Sequence, residues 1–291
     1  MKIGVHGKSF SKAQQGFIQE MFDLLHSGEF SVYATESYHK ILTKSAVKFG
    51  PVEVIKKGDD ISILDFMFSV GGDGTFLDTL TYIGPHEIPI VGVNIGRLGF
   101  LAHITQHNFK EALKCLRENK FEYESRTLIH VDANKDLFKG VNFGLNEFAI
   151  LKKDTSSMIV VHTYIDDVFL NSYYSDGLII ATPTGATGYS LSCGGPLALP
   201  TSKNFIITPI SAHNLNVRPM VVSENSRISF RVEGRSRRFL ATLDSRYSVV
   251  DPSVKISVRK EDFKARLVKL EGQNFFDTLR VKLNWGVDAR N

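Results

Sequence analysis

The first 125 residues alternate short apolar runs with segments of helical periodicity. The apolar runs predict buried β-strands at 2–6, 61–70 and 88–94. Apolar residues at three- and four-residue spacing predict amphipathic helices at 11–27, 75–83 and 108–119. Strands that alternate with helices are typical of a parallel sheet with helices on both faces. We therefore predict a doubly wound, Rossmann-like α/β domain over residues 1–125.

The pattern changes after residue 125. From there to residue 272, apolar and polar residues alternate in short β-branched stretches that turn residues separate. This alternation is typical of half-buried strands in two packed sheets. We therefore predict an all-β, β-sandwich-like domain over residues 126–272.

The last segment, 273–291, changes character again. Asn274 is a candidate N-cap, and the apolar residues that follow it have helical spacing: Phe275, Phe276, Leu279 and Leu283. An apolar face of this size is unfavourable in water. We predict a single C-terminal helix that returns to the first domain and packs against it.

Composition narrows the class of partner. Of the 291 residues, 43% are hydrophobic and 23% are charged, and the net charge of +4 comes from interspersed basic and acidic residues. That charge provides no basic surface for nucleic acid. No stretch approaches the roughly 18 apolar residues of a membrane helix, and the N-terminus lacks a signal-peptide pattern. We expect a cytoplasmic protein that binds small molecules, with no nucleic-acid or membrane partner and with both cysteines reduced.

The first glycine-rich stretch, 71–74, follows a predicted strand and contains Asp73. Glycines at such a turn, with the first amides of the next helix, usually bind phosphates, which a carboxylate would repel. The stretch is neither a Walker A loop nor a dinucleotide fingerprint. Beside phosphates, a carboxylate can bind Mg²⁺ or take a proton from a hydroxyl that attacks phosphorus. A plain turn with an Asx hydrogen bond is the alternative.

The second glycine-rich stretch, 176–196, contains few side chains larger than threonine. Small side chains let a flat ligand approach the backbone. The hydroxyls of Thr184 and Thr187, the ring of Tyr189 and the carboxylate of Asp176 are suited to contact such a ligand. We interpret this stretch as one wall of a ligand pocket, and a flexible surface loop is the alternative.

Two further stretches carry weaker patterns. Asn146 and Glu147 place an amide beside a carboxylate, a pair that can bind a ribose or an adenine edge; a polar pair at a strand end is the alternative. Asn94 ends a predicted strand and opens the loop 94–102. In open parallel sheets, ligands bind outside the carboxyl ends of the strands, where both Asp73 and Asn94 fall. This placement supports a site at that edge.

Taken together, these motifs resemble the NAD kinase family. The resemblance rests on GGDG at 71–74, NIGRLGFL at 94–101, Asn146-Glu147, DGLIIATPTGATGYSLSCGGP at 176–196 and ITPISAHNLNVRPMVVS at 207–223. The C-terminal FFDTLRVKLNWGVDARN also fits, so the resemblance covers nearly the whole chain in the family's order. It implies an α/β domain, a β-sandwich-like domain and a final helix that returns to the first domain.

The resemblance also implies an activity and its partners. The expected reaction transfers the γ-phosphoryl group of ATP to the adenosine 2′-hydroxyl of NAD and gives NADP. Mg²⁺ or another divalent metal would bind mainly through the ATP phosphates, with no metal site made by the protein alone. The family is usually oligomeric, which implies a homodimer or a homotetramer.

Residue roles follow from the same resemblance. Asp73 would be the catalytic base, with Gly74 beside it at the NAD. Asn146 and Glu147 would contact the dinucleotide, and Asp176 would bind a ribose. The adenosine-binding loop would consist of Thr187, Gly188, Tyr189, Ser190, Leu191 and Ser192. Ala212 would line the same pocket.

The chain departs from the family at three positions. Many relatives have a basic or polar residue, expected to contact phosphate, where this chain has Tyr174, which we keep as a nucleotide-binding candidate. Gly188 replaces a frequent alanine and slightly enlarges the adenine pocket. Asp244-Ser245-Arg246 stands where relatives often have Asp-Gly-Gln, so Arg246 is a further site candidate.

Two other functions remain open at this point. A lipid kinase of the diacylglycerol or sphingosine type shares the GGDG step and the architecture, but the small polar loop 183–192 suits adenosine better than an acyl chain. A non-catalytic regulator that binds NAD or NADP is the other alternative. Asp73 argues against a regulator because a binder has no use for a base beside the reacting hydroxyl.

Overall fold

The computed structural model describes residues 1–28, 30–153, 158–235 and 238–285. The chain divides into two compact units. The first consists of Met1–Ser125 with Ala265–Asn291, and the second of Arg126–Lys264. The second boundary therefore lies after residue 264, and the predicted boundary after residue 272 is corrected.

The described residues form nineteen strands and six α-helices. The strands are β1 (Lys2–Gly7), β2 (Ser31–Thr35), β3 (Glu53–Ile55), β4 (Phe66–Gly71), β5 (Ile90–Asn94), β6 (Phe121–Arg126), β7 (Ile129–Ala133), β8 (Phe143–Gly144), β9 (Glu147–Lys152), β10 (Ile159–Ile165), β11 (Val168–Ser175), β12 (Gly177–Ala181), β13 (Asn204–Ile210), β14 (Met220–Ser223), β15 (Ile228–Gly234), β16 (Phe239–Leu243), β17 (Arg246–Val250), β18 (Ile256–Lys260) and β19 (Ala265–Leu270). The helices are α1 (Lys12–Ser27), α2 (Glu36–Thr43), α3 (Asp73–Ile83), α4 (Phe109–Arg117), α5 (Tyr189–Ser192) and α6 (Phe275–Leu283).

The first unit is built on a seven-stranded sheet in the order β3-β2-β1-β4-β5-β19-β6. The neighbouring strands from β3 to β19 pair in parallel. The helical spacing of α1 buries one face, with Phe17, Ile18 and Phe22 in the core. The predicted α/β class is confirmed.

Strand β19 explains the corrected boundary. Its alternating pattern resembles the strands of the β-rich region that precedes it, and sequence alone assigns it there. In the structure Leu267 pairs in parallel with Ile90 of β5, so the strand lies between β5 and β6 in the sheet of the first unit. Alternation predicts a strand but not its partner, because pairing depends on tertiary packing.

Several elements differ from prediction. The predicted strand at 61–70 begins only at Phe66, because the chain before it turns and the amide of Leu64 donates to the carbonyl of Ile61. Strands β2 and β3 and helix α2 are additional to the predicted elements. Helix α5 lies inside the stretch predicted as a loop.

The C-terminal helix α6 packs within the first unit. Asn274 is its N-cap, and the side chain accepts a 2.9 Å hydrogen bond from the amide of Asp277. Leu279 is buried, and the ring of Phe275 lies 6.3 Å from that of Phe100. Phe276, which we expected on the packed face, is 54% exposed, so the buried face is narrower than the apolar spacing indicated.

Leu279→Ala is expected to destabilise the folded protein by about 2–4 kcal/mol, because a buried leucine is cut back to a methyl group. The matched control is Val281→Ala on the same helix, where the side chain is 64% exposed and the expected change is small. Thermal unfolding of both variants checks the prediction. Equal melting temperatures for the two variants would contradict the packed role of α6.

The second unit consists of two antiparallel six-stranded sheets, as the sequence predicts. Their orders are β11-β10-β15-β18-β7-β8 and β14-β13-β12-β9-β16-β17. Their inward-facing residues form one apolar cluster that includes Phe148, Phe205 and Val161. Within the described ranges, no helix is long and apolar enough to cross a membrane.

Candidate active site

The GGDG turn lies at a topological switch point of the first sheet. From β1 the chain proceeds to β2 and β3 on one side, whereas β4 and β5 lie on the other side. The turn joins the end of β4 at Gly71 to the start of α3 at Asp73. Open parallel sheets bind ligands at the carboxyl ends of the strands beside such a point. The topology therefore supports the site expected around Asp73.

Both carboxylate oxygens of Asp73 accept backbone hydrogen bonds. The amide of Phe100 donates to Oδ2 at 2.8 Å, and the amide of Leu101 donates to Oδ1 at 3.0 Å. A carboxylate has about four lone-pair sites, so acceptor capacity remains for a further hydroxyl. Asp73 is half-buried, whereas Gly74 is exposed. The two amides hold the carboxylate in one orientation at the turn.

The loop 94–102 has the shape needed to present these amides. The side chain of the buried Asn94 donates to the carbonyls of Arg97 and Ala102 and accepts from the amide of Gly96. A Cβ atom at Gly99 would lie 2.0 Å from Oδ1 of Asp73. The close approach of the loop to the carboxylate therefore requires glycine at this position.

Lys8 is a basic residue at this edge that the sequence motifs did not predict. It follows β1, and its Nζ lies 2.5 Å from Oδ2 of Asp78 and 3.4 Å from the carbonyl of Gly74. A lysine directly after the first strand was the available signal. Its positive charge lies beside the GGDG turn and is paired with the Asp78 carboxylate.

In the second unit, Asp244 binds the backbone of the segment 145–147. The Asp244 carboxylate accepts the amides of Leu145 at 2.8 Å, Asn146 at 2.8 Å and Glu147 at 3.2 Å. The amide of Asp244 donates to the carbonyl of Glu147. Asn146 and Glu147 are thus fixed through their backbone by one carboxylate. The residue type of Asp244 and its place in the Asp244-Ser245-Arg246 stretch did not predict this contact.

Glu147 has an unusual environment for a carboxyl group. Burial, and secondarily the negative charge of Asp244, raises the pKa of Glu147 to about 8. Its Oε2 atom is buried and makes no hydrogen bond with any described residue. A buried polar atom without a partner is costly, so a hydrogen bond from a ligand that reached this oxygen would be favourable.

The loop after β12 packs directly onto this segment. The hydroxyl of Thr182 donates to the carbonyl of Leu145 at 2.5 Å, and the amide of Thr182 donates to the carbonyl of Asn146 at 2.8 Å. A Cβ atom at Gly185 would lie 2.1 Å from the Asn146 carbonyl oxygen, and one at Gly188 would lie 3.3 Å from Oε2 of Glu147. The structure therefore brings Asn146, Glu147 and Gly188 together.

The side chains of this loop divide into two groups. Thr184 and Ser190 are buried: Arg126 donates to the Thr184 hydroxyl at 3.2 Å, and the Ser190 hydroxyl lies 2.8 Å from that of Thr208. The Thr187 hydroxyl donates to the carbonyl of Thr184. The remaining predicted residues are exposed or half-buried: Gly188, Tyr189, Leu191 and Ser192. The second group is the one accessible to a ligand.

Asp176, Tyr174 and Ala212 lie around the junction of β11 and β12. The Asp176 carboxylate forms a 2.7 Å ion pair with Nζ of Lys152. Tyr174 is 40% exposed, and its carbonyl accepts a hydrogen bond from the amide of His213, the residue after the half-buried Ala212. These residues belong to neighbouring backbone segments of the second unit.

Arg246 makes contacts with the protein itself. Its guanidinium donates to the carbonyls of Val141 and Phe143 and lies 3.9 Å from Oδ2 of Asp244. The side chain is mostly buried. Through these contacts Arg246 stabilises the backbone of residues 141–143, which precedes Asn146.

Carboxylates, histidines and cysteines are not grouped for metal binding in the part of the chain that the structure describes: no three of them are close enough to hold an ion. Mg²⁺ in nucleotide sites usually binds through one or two carboxylates together with phosphate oxygens and waters. Asp73 has lone pairs left over at the GGDG turn. The residues present therefore fit a metal ion that arrives with a nucleotide.

Both units match family models. The ATP-NAD kinase N-terminal domain matches residues 19–121, and the ATP-NAD kinase C-terminal domain matches residues 145–270. An NAD kinase of Cytophaga hutchinsonii is 47% identical over 292 aligned positions that cover 100% of both chains. An NAD kinase of Flavobacterium psychrophilum is 39% identical, again with 100% of both chains covered.

Solved structures have the same fold. A yeast NADH kinase complexed with NADH has a TM-score of 0.86 at 21% identity and covers 99% of this chain and 89% of its own. An NAD kinase from Archaeoglobus fulgidus in complex with ATP has a TM-score of 0.74 at 28% identity, with 98% and 99% covered. Because both domain models match in order and full-length relatives reach 47% identity, the chain belongs to the NAD kinase family.

Proposed function

We propose that this chain transfers the γ-phosphoryl group of ATP to the adenosine 2′-hydroxyl of NAD and so forms NADP. Membership of the NAD kinase family supports the acceptor, and the ATP complex of the Archaeoglobus fulgidus relative supports the donor. The observation that carries the proposal is the Asp73 carboxylate, held by two backbone amides at the carboxyl edge of a parallel sheet.

Asp73 acts as the general base in this proposal. A ribose hydroxyl is a weak nucleophile, and it attacks phosphorus more readily when a carboxylate accepts its proton. The amides of Phe100 and Leu101 keep the carboxylate oriented, so little reorganisation is needed during the reaction. Gly74 lies beside it without a side chain that would hinder the approach of the substrate.

The divalent metal, Mg²⁺ or another, enters mainly with the ATP phosphates and neutralises charge on them when bound. The chain's own contribution at this edge is positional. The first amides of α3 provide positive potential next to Asp73, and Lys8, which is paired with Asp78, lies beside the same turn. This potential favours the binding of an anionic donor.

The second unit holds the NAD. Asn146 and Glu147 contact the dinucleotide, Asp176 accepts from a ribose hydroxyl, and Tyr174 and Ala212 line the same pocket. The adenosine lies against the loop that contains Thr184 and Thr187–Ser192, where small residues leave the backbone accessible. Arg246 belongs to this set as a residue that borders Asn146.

A coupled assay tests the activity. Purified protein is incubated with NAD, ATP and Mg²⁺, and NADP is detected with an NADP-specific dehydrogenase. NADP formation that depends on all three components is the expected result. Phosphorylation of diacylglycerol or sphingosine instead would favour the lipid-kinase alternative, and NAD binding without turnover would favour a regulator.

Asp176→Ala is expected to raise KM for NAD by about 10- to 100-fold with a smaller change in kcat, because a ribose contact acts in the ground state and the transition state alike. Steady-state kinetics check this. Lys152→Met is the comparison, since Lys152 is the ion-pair partner of Asp176. If both variants changed KM for NAD equally, the ion pair rather than a ribose contact would be the function of Asp176.

The remaining elements of the proposal concern the protein in the cell. We propose a homodimer or homotetramer in the cytoplasm, since the family is usually oligomeric. Sedimentation analysis of the purified chain tests the oligomeric state, and a monomer at micromolar concentration would contradict it.

A further inference from the structure

Asp244 lies in the hairpin between β16 and β17 with a left-handed backbone conformation, φ 51°. Few residues other than glycine adopt this region easily, although aspartate and asparagine do so more often than most. The conformation directs the side chain beneath the neighbouring strand, where it accepts three successive amides of residues 145–147. The left-handed backbone of Asp244 and the hydrogen bonds of its side chain thus both belong to the contact with residues 145–147.

The contact between Asp244 and residues 145–147 requires the burial of a carboxylate, which costs free energy. Burial of a carboxylate is unfavourable unless it is hydrogen-bonded or paired. Burial raises the pKa of Asp244, while the three amide bonds and the Arg246 guanidinium oppose that rise. An apolar side chain would avoid this cost but would leave three amides without an acceptor.

The segment held in this way carries a buried carboxyl oxygen that has no hydrogen-bond partner among the described residues. Glu147 follows Asn146 directly, and its Oε2 lies next to Gly188 in the loop proposed to bind adenosine. In addition to burial, Asp244 on the hairpin raises the pKa of Glu147, and Arg246 acts on Asp244; Glu147 in turn adds to the effect of burial in raising the pKa of Tyr189 on the loop. A shift of this backbone would displace Asn146 and Glu147 together.

We propose that Asp244 is a positioning residue for NAD: it fixes the backbone of residues 145–147 and places the Glu147 carboxyl against the adenosine-binding loop. This inference rests on the proposed NAD kinase function. Asp244 itself touches no substrate and acts through Asn146 and Glu147. Because its negative charge lies beside Glu147, it also controls the pH at which Glu147 loses its proton.

The test is Asp244→Asn in the full chain. Asparagine has nearly the size of aspartate, but its NH₂ group cannot accept a hydrogen bond. At least one of the three backbone amides would therefore lose its acceptor. KM for NAD is expected to rise by about tenfold or more, while KM for ATP stays near the parent value.

Loss of the negative charge of Asp244 lowers the pKa of Glu147, so the midpoint of the plot of KM for NAD against pH moves to lower pH. A purely structural weakening would raise KM without moving the midpoint.

Two further variants keep the test decisive. Asp251→Asn is the matched control, because Asp251 accepts the amide of Ser253 on the exposed side of the same unit; we expect no change in KM. If Asp244→Asn does not fold, Gly144→Ala replaces it, since its Cβ would lie 2.7 Å from Cδ1 of Leu243 and 3.0 Å from both Asp244 carboxylate oxygens. The same rise in KM for NAD is expected.

The outcomes separate this inference from the proposed function. The parent chain is assayed first, and failure to form NADP would contradict the proposed function itself. An active parent with an unchanged KM and an unchanged pH midpoint in folded Asp244→Asn would overturn the positioning role alone. A rise in KM for both NAD and ATP with no shift of the midpoint would also overturn it.

Discussion

Asp73→Asn is expected to lower kcat for NADP formation by about 10²–10⁴-fold while NAD still binds with nearly the parent affinity. The asparagine oxygen can still accept one of the two loop amides, so the turn keeps its shape. The side chain can no longer accept a proton from the 2′-hydroxyl. Steady-state kinetics beside equilibrium NAD binding separate the two effects.

A near-normal kcat in Asp73→Asn would remove the base from this position and assign the proton to water or to the phosphate of the donor. A loss of NAD binding equal to the loss of kcat would indicate a ground-state contact instead. Thermal unfolding of the variant serves as the control for folding.

Gly99→Ala is expected to lower kcat by about 10²-fold, although it removes no chemical group that takes part in the reaction. The added methyl carbon would overlap Oδ1 of Asp73, at 2.0 Å. Because a carboxylate can rotate away, the fold should tolerate the change, while the base leaves its position between the amides of Phe100 and Leu101. Kinetics and thermal unfolding of the variant together check this.

The matched control is Gly96→Ala in the same loop. There the nearest atom to an added Cβ, Nε2 of Gln14, is 3.9 Å away, so parent-like kcat is expected. If Gly99→Ala had the same kcat as Gly96→Ala, the orientation of Asp73 by the loop would not matter to the reaction. A large fall in melting temperature for Gly99→Ala alone would indicate that the backbone, not the carboxylate, had moved.

Local patterns predicted much of the fold because they depend on neighbouring residues alone. The spacing of Phe17, Ile18 and Phe22 predicted the buried face of α1, and Asn274 predicted the start of α6. The alternating stretches predicted the all-β unit, which is confirmed as two antiparallel sheets. The same patterns misassigned β19, since a strand's own residues do not specify the sheet that it joins.

The candidate site shows the same division. The order of the motifs was sufficient to predict the NAD kinase family, which the domain matches confirm. The residue types also marked Asp73 and Asn146–Glu147 as candidates. They could not reveal that Asp73 is held by Phe100 and Leu101, because a backbone amide has no signature in the side-chain sequence.

The sequence by itself therefore determined the two fold classes, the family and the identity of the chemical groups, all of which are written in residue types and short spacings. Only the tertiary structure decided how those groups are oriented. The buried Asp244 lies nearly 100 residues from the amides that it binds, and its separation from Asn146 is 98 positions. Such contacts depend on how the chain pairs its strands, and a carboxylate buried against distant amides is favourable only after that pairing has brought the amides to it.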